Sequence, residues 1–453
     1  MTDFSGASAA GPASTALLTD RYELTMLRSA LASGAAERRT VFEMFARHLP
    51  GGRRYGVVAG TTRFLDALER FRFDTPVLDF LSREQVVDEA TLEWLAGYEF
   101  RGDIWGYPEG DCYLPGSPIL VVEATFAEAV LLETLALSIF NHDCAVATAA
   151  SRMVTAAGQR PLIEMGSRRT HEQAAVAAAR AAYIAGFAST SNLAAGQAHG
   201  VPTAGTSAHA FTLLHGTERE AFAAQLSALG PGTTLLVDTY DVTAATRIGI
   251  ELAGTELGAV RIDSGDLSEQ ASQLRALLDA HGARDTRVVV TGDLDEHAIQ
   301  ALAVAPVDGY GVGTSVVTGS GAPTAALVYK LVARAEHAAP DAPLLPVAKR
   351  SVGKPTLGGR KWPVRRFDPD TRTATAEVVY AHEPEPAAFE EPRLVKLVDG
   401  GKVVHQESLD TARRRHAATR SALPPAARRM SRGEPAIPTI FENRTDTPEQ
   451  RRT

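Results

Sequence analysis

From Arg160 onward, short apolar runs alternate with Gly-rich or polar loops and Ala-rich helical stretches. The apolar runs are residues 162–165, 187–188, 201–204, 234–237, 259–262, 287–290 and 310–312. Short apolar runs bounded by turn signals read as buried strands, and helices fit between most of them. A strand–helix unit every ~30–50 residues predicts a parallel sheet. An α/β barrel accommodates roughly seven such strands best.

The first third is different. Residues 39–45 and 55–59 read as strands joined by a turn rich in breakers at 48–52, residues 61–71 as a helix, and 105–107 and 119–124 as short strands. Strand and helix mix there without strict alternation. Residues 126–158 are Ala- and Leu-rich and predict helix. Late in the chain, 374–380, 393–398 and 401–404 read as strands and 409–433 as an Arg-rich helical segment with a solvated face. Thr19 and Asp20 predict the start of a helix over 17–31, which puts Tyr22 near its N-terminus; Thr170 and Gln173 predict a capping box ahead of a helix ending at Gly186. The expected organisation is a disordered leader over 1–16, an N-terminal domain over 17–125, a barrel domain over 126–350, C-terminal strands and helices over 351–441 that pack back on the N-terminal domain, and a disordered tail over 442–453.

Composition narrows the class. The chain has 453 residues, 45% hydrophobic and 22% charged, enough to bury a sizeable core in two or three domains. A net charge of −8 gives no general attraction to nucleic acid or to an anionic membrane. The first residues lack the basic start and apolar run of a signal peptide, and no stretch reads as a transmembrane span. Two cysteines, Cys112 and Cys144, have no metal-type spacing and fit a reducing cytoplasm.

In open parallel sheets and barrels, chemistry gathers where strands end. The residues following each predicted strand therefore belong to one list: Arg168 and Arg169; Ser191 and Asn192; Thr206 and His209; Asp238 and Asp241; Asp263, Ser264 and Asp266; Thr291, Gly292 and Asp293; Gly313, Thr314 and Ser315. Arginines fork onto carboxylates or phosphates, and small loops ahead of helices present backbone N–H groups to phosphate. Carboxylates take ribose hydroxyls or Mg²⁺. The set suits a substrate carrying a sugar and phosphates. Val260 and Ile262 alternate with Arg261 and Asp263, so the polar pair faces a lumen while the apolar pair faces helices. Residues 311–314 (GVGT) lack the dinucleotide-binding fingerprint, and the basic, Gly-rich segment 350–366 carries Gly359 where a phosphate-binding P-loop requires lysine.

In chain order, LLTDRYELTM (17–26), FEMFARHLP (42–50), EMGSRRTHE (164–172), TSNLAAG (190–196), GTSAHAF (205–211), RIDSGDL (261–267), TGD (291–293) and GVGTSVVT (311–318) resemble the nicotinate phosphoribosyltransferase family over nearly the whole chain. The resemblance implies an α/β protein, with an N-terminal α/β sandwich domain and an irregular TIM-like barrel. It implies transfer of phosphoribosyl from PRPP to nicotinate with Mg²⁺, giving nicotinate mononucleotide and pyrophosphate, coupled to ATP hydrolysis through a phosphohistidine. It also implies a homodimer with the active site at the subunit contact. Residue by residue, His209 becomes the phosphorylated histidine. Tyr22 stacks on the pyridine, reaching the partner's site. Thr206 and Arg261 contact nicotinate, with Arg168 close by. Asp263 and Asp293 hold ribose hydroxyls or Mg²⁺, with Gly292 in the same TGD turn, and Gly311, Gly313 and Thr314 take the 5-phosphate. Ser191 stands where the related nicotinamide enzyme has an aspartate for the amide, and so favours a carboxylate substrate. Met165 and Ser167 depart from the family's usual residues. The rival readings are a nicotinamide or quinolinate phosphoribosyltransferase and a catalytically silent ligand sensor on the same scaffold.

Overall fold

A computed structural model describes residues 13–349 and 357–442. Residues 1–12 of the expected leader, the start of the basic segment (350–356) and residues 443–453 of the expected tail lie outside the described residues. Residues 13–16, placed in the leader by the sequence, are packed: Ala16 is buried and the Thr15 hydroxyl donates to the Ala67 carbonyl at 2.6 Å.

The chain forms two units. Among the described residues the first comprises 13–144, 324–349, 357–427 and 433–442, and the second 145–323 with 428–432. The barrel domain expected over 126–350 is thus shorter at both ends. Its sequence boundary on the late side fails because Leu327–Ala335, a nine-residue strand, pairs antiparallel with Arg39–Ala46. That pairing is non-local, and no local pattern announces it.

In the first unit, seven strands form an antiparallel sheet in the order Leu344–Pro346, Leu327–Ala335, Arg39–Ala46, Leu120–Thr125, Asp103–Gly106, Val395–Asp399, Lys402–Val403. Successive side chains of a strand point to opposite faces. Phe42, Met44, Leu120 and Val122 accordingly join the main core with helices Arg21–Ser33 and Thr61–Glu69, while Val41 and Val121 join Val332 and Ala333 in a second cluster. The start of helix Arg21–Ser33 departs from expectation. Asp20 is its N-cap but makes no side-chain cap bond; Thr19 bonds the buried Glu23 instead, which also accepts from the Thr134 N–H at 2.9 Å.

The second unit holds a six-stranded parallel sheet in the order Ser189–Thr190, Leu162–Glu164, Gly309–Val312, Arg287–Val290, Ala259–Ile262, Thr234–Leu236. The predicted strand at 201–204 contracts to one parallel bridge between Thr203 and Thr190. Pro202 has no N–H to give a ladder, and it contributes only its carbonyl, to the Thr190 N–H at 2.9 Å. The sheet is a half-barrel, left open between that bridge and Thr234–Leu236. Helices return the chain between strands: Glu172–Ala185, Glu218–Leu229, Val242–Ala253 and Leu267–Ala280 are the longest. Among the described residues no helix is long and apolar enough to cross a membrane.

Several polar residues at strand ends serve these helices as caps. Asn192 accepts from the Ala195 N–H at 2.8 Å, Asp241 from Ala244 at 2.7 Å and Asp266 from Glu269 at 3.1 Å. Each satisfies a helix-terminal N–H that has no intrahelical partner. For helix Glu172–Ala185 the cap is His171, whose ring accepts from the Gln173 N–H, so the expected Thr170–Gln173 capping box does not form.

Candidate active site

Where the parallel strands end, a cavity of about 380 Å³ opens within the second unit. Arg168, Ser191, Thr206, His209, Arg261, Asp263, Gly292, Asp293, Gly311, Gly313 and Thr314 all line it. Of the residues assigned from sequence only Tyr22 is elsewhere. It belongs to the first unit, where it is 45% exposed, and burial of its ring together with Glu133 and Glu23 pushes its phenol up to about 12. Arg169 and Thr291, which the sequence placed among the strand-end residues without a specific role, also line the cavity, as do Met165 and Ser207.

Strand alternation sets the floor. Val260 and Ile262 are fully buried behind the sheet, while Arg261 and Asp263 face the cavity. Arg261 is 9% exposed; its Nη1 donates to the Thr206 hydroxyl and, at 3.4 Å, to the Ser207 carbonyl. Its Nε is buried with no partner among the described residues. Burial lowers the Arg261 guanidinium from its usual range, Asp263 and Asp238 oppose that shift, and Arg168 adds to it. Guanidinium nonetheless stays charged in proteins. A largely buried cation lining the cavity, next to a second arginine, suits an incoming anion such as a carboxylate.

His209 opens the short helix His209–Leu214, and its side chain is 42% exposed to the cavity mouth. Its Nδ1 lies 3.2 Å from the Thr239 hydroxyl and its Nε2 3.8 Å from Asp238 Oδ1. Asp238 is the residue whose importance the sequence understated. Its side chain is 2% exposed, its Oδ2 accepts from the Asp263 N–H and the Ser264 hydroxyl, both at 2.9 Å, and its Oδ1 is buried with no hydrogen-bond partner among the described residues. One carboxylate thus ties the Asp263 loop in place and presents its spare oxygen to the imidazole. Such a partner stabilises positive charge on the ring and fixes its orientation.

Glu164 has a comparable positioning role. It is fully buried at the end of strand Leu162–Glu164, accepting from the Gly166 N–H and the Thr190 hydroxyl, each at 2.5 Å. The Ser191 N–H donates to its carbonyl at 2.8 Å. Burial raises this carboxyl's pKa, and the two donors oppose the rise. Glu164 therefore couples the loop carrying Arg168 to the loop carrying Ser191. A lone acidic residue inside an otherwise apolar strand was the available sequence signal.

At two glycines of the wall, Gly292 and Gly311, a side chain would be strained or crowded. Gly292 has φ +129°, a backbone region L residues rarely adopt, and the Thr291 hydroxyl beside it donates to Asp263 Oδ1. A Cβ on Gly311 would sit 2.5 Å from Thr291 Cγ2 and 2.7 Å from Met165 Sδ. Gly311→Ala is therefore expected to destabilise the chain by about 1–3 kcal/mol, read as a lower urea midpoint at unchanged slope.

Residues 17–141 match the model of the nicotinate phosphoribosyltransferase N-terminal domain. The chain is 57% identical over 433 residues to nicotinate phosphoribosyltransferase pncB1 of Mycobacterium tuberculosis, covering 93% of this chain and 94% of that one. It is 31% identical over 445 residues to the human nicotinate phosphoribosyltransferase, covering 83% and 82%. Among solved structures, that of human nicotinic acid phosphoribosyltransferase superposes with a TM-score of 0.79 at 28% identity, over 94% of this chain and 98% of the other. Sequence similarity along most of the chain and agreement in fold lead to one assignment: the chain belongs to the nicotinate phosphoribosyltransferase family.

Proposed function

We propose that this protein transfers the phosphoribosyl group of PRPP to nicotinate, giving nicotinate mononucleotide and pyrophosphate in NAD salvage, and couples the transfer to ATP hydrolysis through phosphorylation of His209. The observation that carries the reading is the convergence, in one cavity, of three arginines, two carboxylates, a histidine and several glycines.

In this reading the pyridine nitrogen attacks ribose C1 as the bond from C1 to pyrophosphate breaks. The nicotinate carboxylate lies against Arg261 and Thr206, with Arg168 near it. Ser191 places no negative charge there, so a carboxylate is not repelled as it would be by an aspartate. Asp263 and Asp293 take ribose hydroxyls and stabilise the positive charge that develops at C1. The loops at Gly311, Gly313 and Thr314 receive the 5-phosphate through backbone N–H groups. In the coupling half-reaction a His209 ring nitrogen attacks the γ-phosphorus of ATP and ADP leaves; water later releases inorganic phosphate from the ring. Asp238 and Thr239 hold the imidazole in place for both events.

Mg²⁺ fits these residues in the manner usual for that ion, through one or two carboxylates plus substrate phosphates. Asp263 and Asp293 would hold it, and among the described residues there is no cluster of three or more His, Cys, Asp or Glu side chains built as a cage. When bound, the ion neutralises charge on the departing pyrophosphate. Tyr22, exposed on the first unit, fits the role of a ring that stacks on nicotinate in the partner of a homodimer with a shared active site. Cys112 and Cys144 are both buried and form no disulfide, in keeping with a cytoplasmic enzyme.

Purified protein supplied with PRPP and either nicotinate, nicotinamide or quinolinate, with and without ATP, tests the reading. Nicotinate is expected to be consumed, with ADP release whenever ATP is present. Turnover of nicotinamide or quinolinate at comparable kcat/KM would overturn the substrate assignment. Binding of nicotinate without turnover would identify a ligand sensor instead.

A further inference from the structure

Within the second unit, a buried ion pair has no duty in the chemistry above. Glu296 opens the short helix Glu296–Ala301, three residues past the cavity-lining Asp293, and its side chain is buried. Its Oε1 accepts from Arg152 Nε at 2.8 Å and its Oε2 from the Ser320 hydroxyl at 2.5 Å. Arg152 is buried too, and its Nη2 donates to the Met430 carbonyl at 2.8 Å. Burial pushes the Glu296 carboxyl up, but the bonds from Ser320 and Arg152 outweigh it and hold the group below its usual range. Both bonds are therefore made to a carboxylate, which strengthens them.

Ser320 is where this pair reaches the site. Gly313 and Thr314 line the cavity, Thr314–Val317 makes one turn of helix, and the chain then reverses. In the reversal Gly319, Ser320 and Gly321 have φ of +64°, +51° and +80°. That region favours glycine. Among the described residues of the second unit, Ser320 is the one non-glycine found there. A residue in a sparsely populated backbone region persists only where its surroundings fix it. Two bonds do so here: the Ser320 N–H donates to the Ser315 carbonyl at 2.6 Å, and the hydroxyl donates to Glu296. The same turn is packed from the side of the Arg168 loop, since a Cβ on Gly166 would lie 2.2 Å from Val317 Cγ1.

Glu296 thus bonds across from the loop after strand Arg287–Val290 to the loop after its neighbour Gly309–Val312. The first loop carries Asp293 and the second carries Gly313 and Thr314. We propose that Glu296 is a positioning residue for the sugar-phosphate substrate: through Ser320 it sets the spacing between the Asp293 carboxylate and the Gly313–Thr314 loop. That role presumes the function given above, in which PRPP places ribose hydroxyls at Asp293 and its 5-phosphate at Gly311, Gly313 and Thr314. One rigid substrate touching both loops needs them at a fixed separation, and a small misplacement is costly. Arg261 and Thr206 stand on other loops and bond each other, so the base is held independently of Glu296.

Steady-state kinetics of the full chain with PRPP and nicotinate, together with calorimetric titration by ribose 5-phosphate, test it. Ser320→Ala removes the hydroxyl bond and leaves the Arg152–Glu296 pair in place. It is expected to raise KM for PRPP and Kd for ribose 5-phosphate about tenfold, the size of one hydrogen bond to a charged group, with KM for nicotinate much less changed. Ser320→Gly removes the same bond and also relieves the positive φ. It is expected to unfold at a higher urea midpoint than Ser320→Ala, yet to show the same rise in KM for PRPP. A merely structural role would instead let KM recover with stability. Wild-type KM for PRPP in Ser320→Gly, or equal rises for both substrates, would overturn the positioning role and leave the assignment of the cavity standing. Wild-type protein that neither turns over PRPP nor binds ribose 5-phosphate would remove that assignment, and the positioning role with it.

Discussion

His209→Ala is expected to abolish ATP-dependent stimulation of phosphoribosyl transfer and all ADP release, while some PRPP-dependent transfer remains. The reason is chemical. A phosphoryl group can be held covalently only by a nucleophile, and His209 supplies an imidazole, a nitrogen nucleophile, in the lining of this cavity. Transfer itself draws on Arg261, Asp263 and Asp293, which the substitution leaves in place. The cavity-lining control is Ser207→Ala. The described contacts of Ser207 run through its carbonyl, which accepts from Arg261 and Thr206, and alanine retains that carbonyl. Coupling is therefore expected to persist there. Acid-labile but alkali-stable labelling from [γ-³²P]ATP reads the same question directly. Full ATP coupling in His209→Ala would end the phosphohistidine assignment.

Arg261→Ala is expected to raise KM for nicotinate by about 100-fold, the size of losing one or two charge-assisted hydrogen bonds, with KM for PRPP much less changed. Its Nη1 already contacts Thr206 and Ser207, and Arg261 lines the cavity together with Arg168. Arg261→Lys is not an adequate replacement, since an ammonium lacks the planar fork that grips a carboxylate. An unchanged nicotinate KM in Arg261→Ala would remove this residue from base recognition. Because Arg261 also organises the Thr206–Ser207 loop, equal losses for both substrates would point to a collapsed loop rather than to a lost ligand contact.

Strands were legible where their signal was local. Ala259–Ile262 and Arg287–Val290 lie where the apolar runs place them, because a buried parallel strand needs an apolar run of that length. Leu327–Ala335 escaped because its place depends on pairing with Arg39–Ala46, nearly three hundred positions earlier. The run at 201–204 is apolar enough for a strand, but Pro202 limits it to a bridge.

The sequence by itself determined which residues close each strand and which of them alternate toward a lumen, since side-chain period and loop chemistry are properties of short stretches. It thereby named nearly every group that lines the cavity. Tertiary structure decided how those groups were divided by duty. Asn192, Asp241 and Asp266 cap helices, whereas Asp238 turns inward to meet both His209 and the Asp263 loop, although all four are polar residues just beyond a strand. Hydrogen bonds and ion pairs act over a few ångströms in space, and distances of that size between segments far apart in the chain exist only once it has folded.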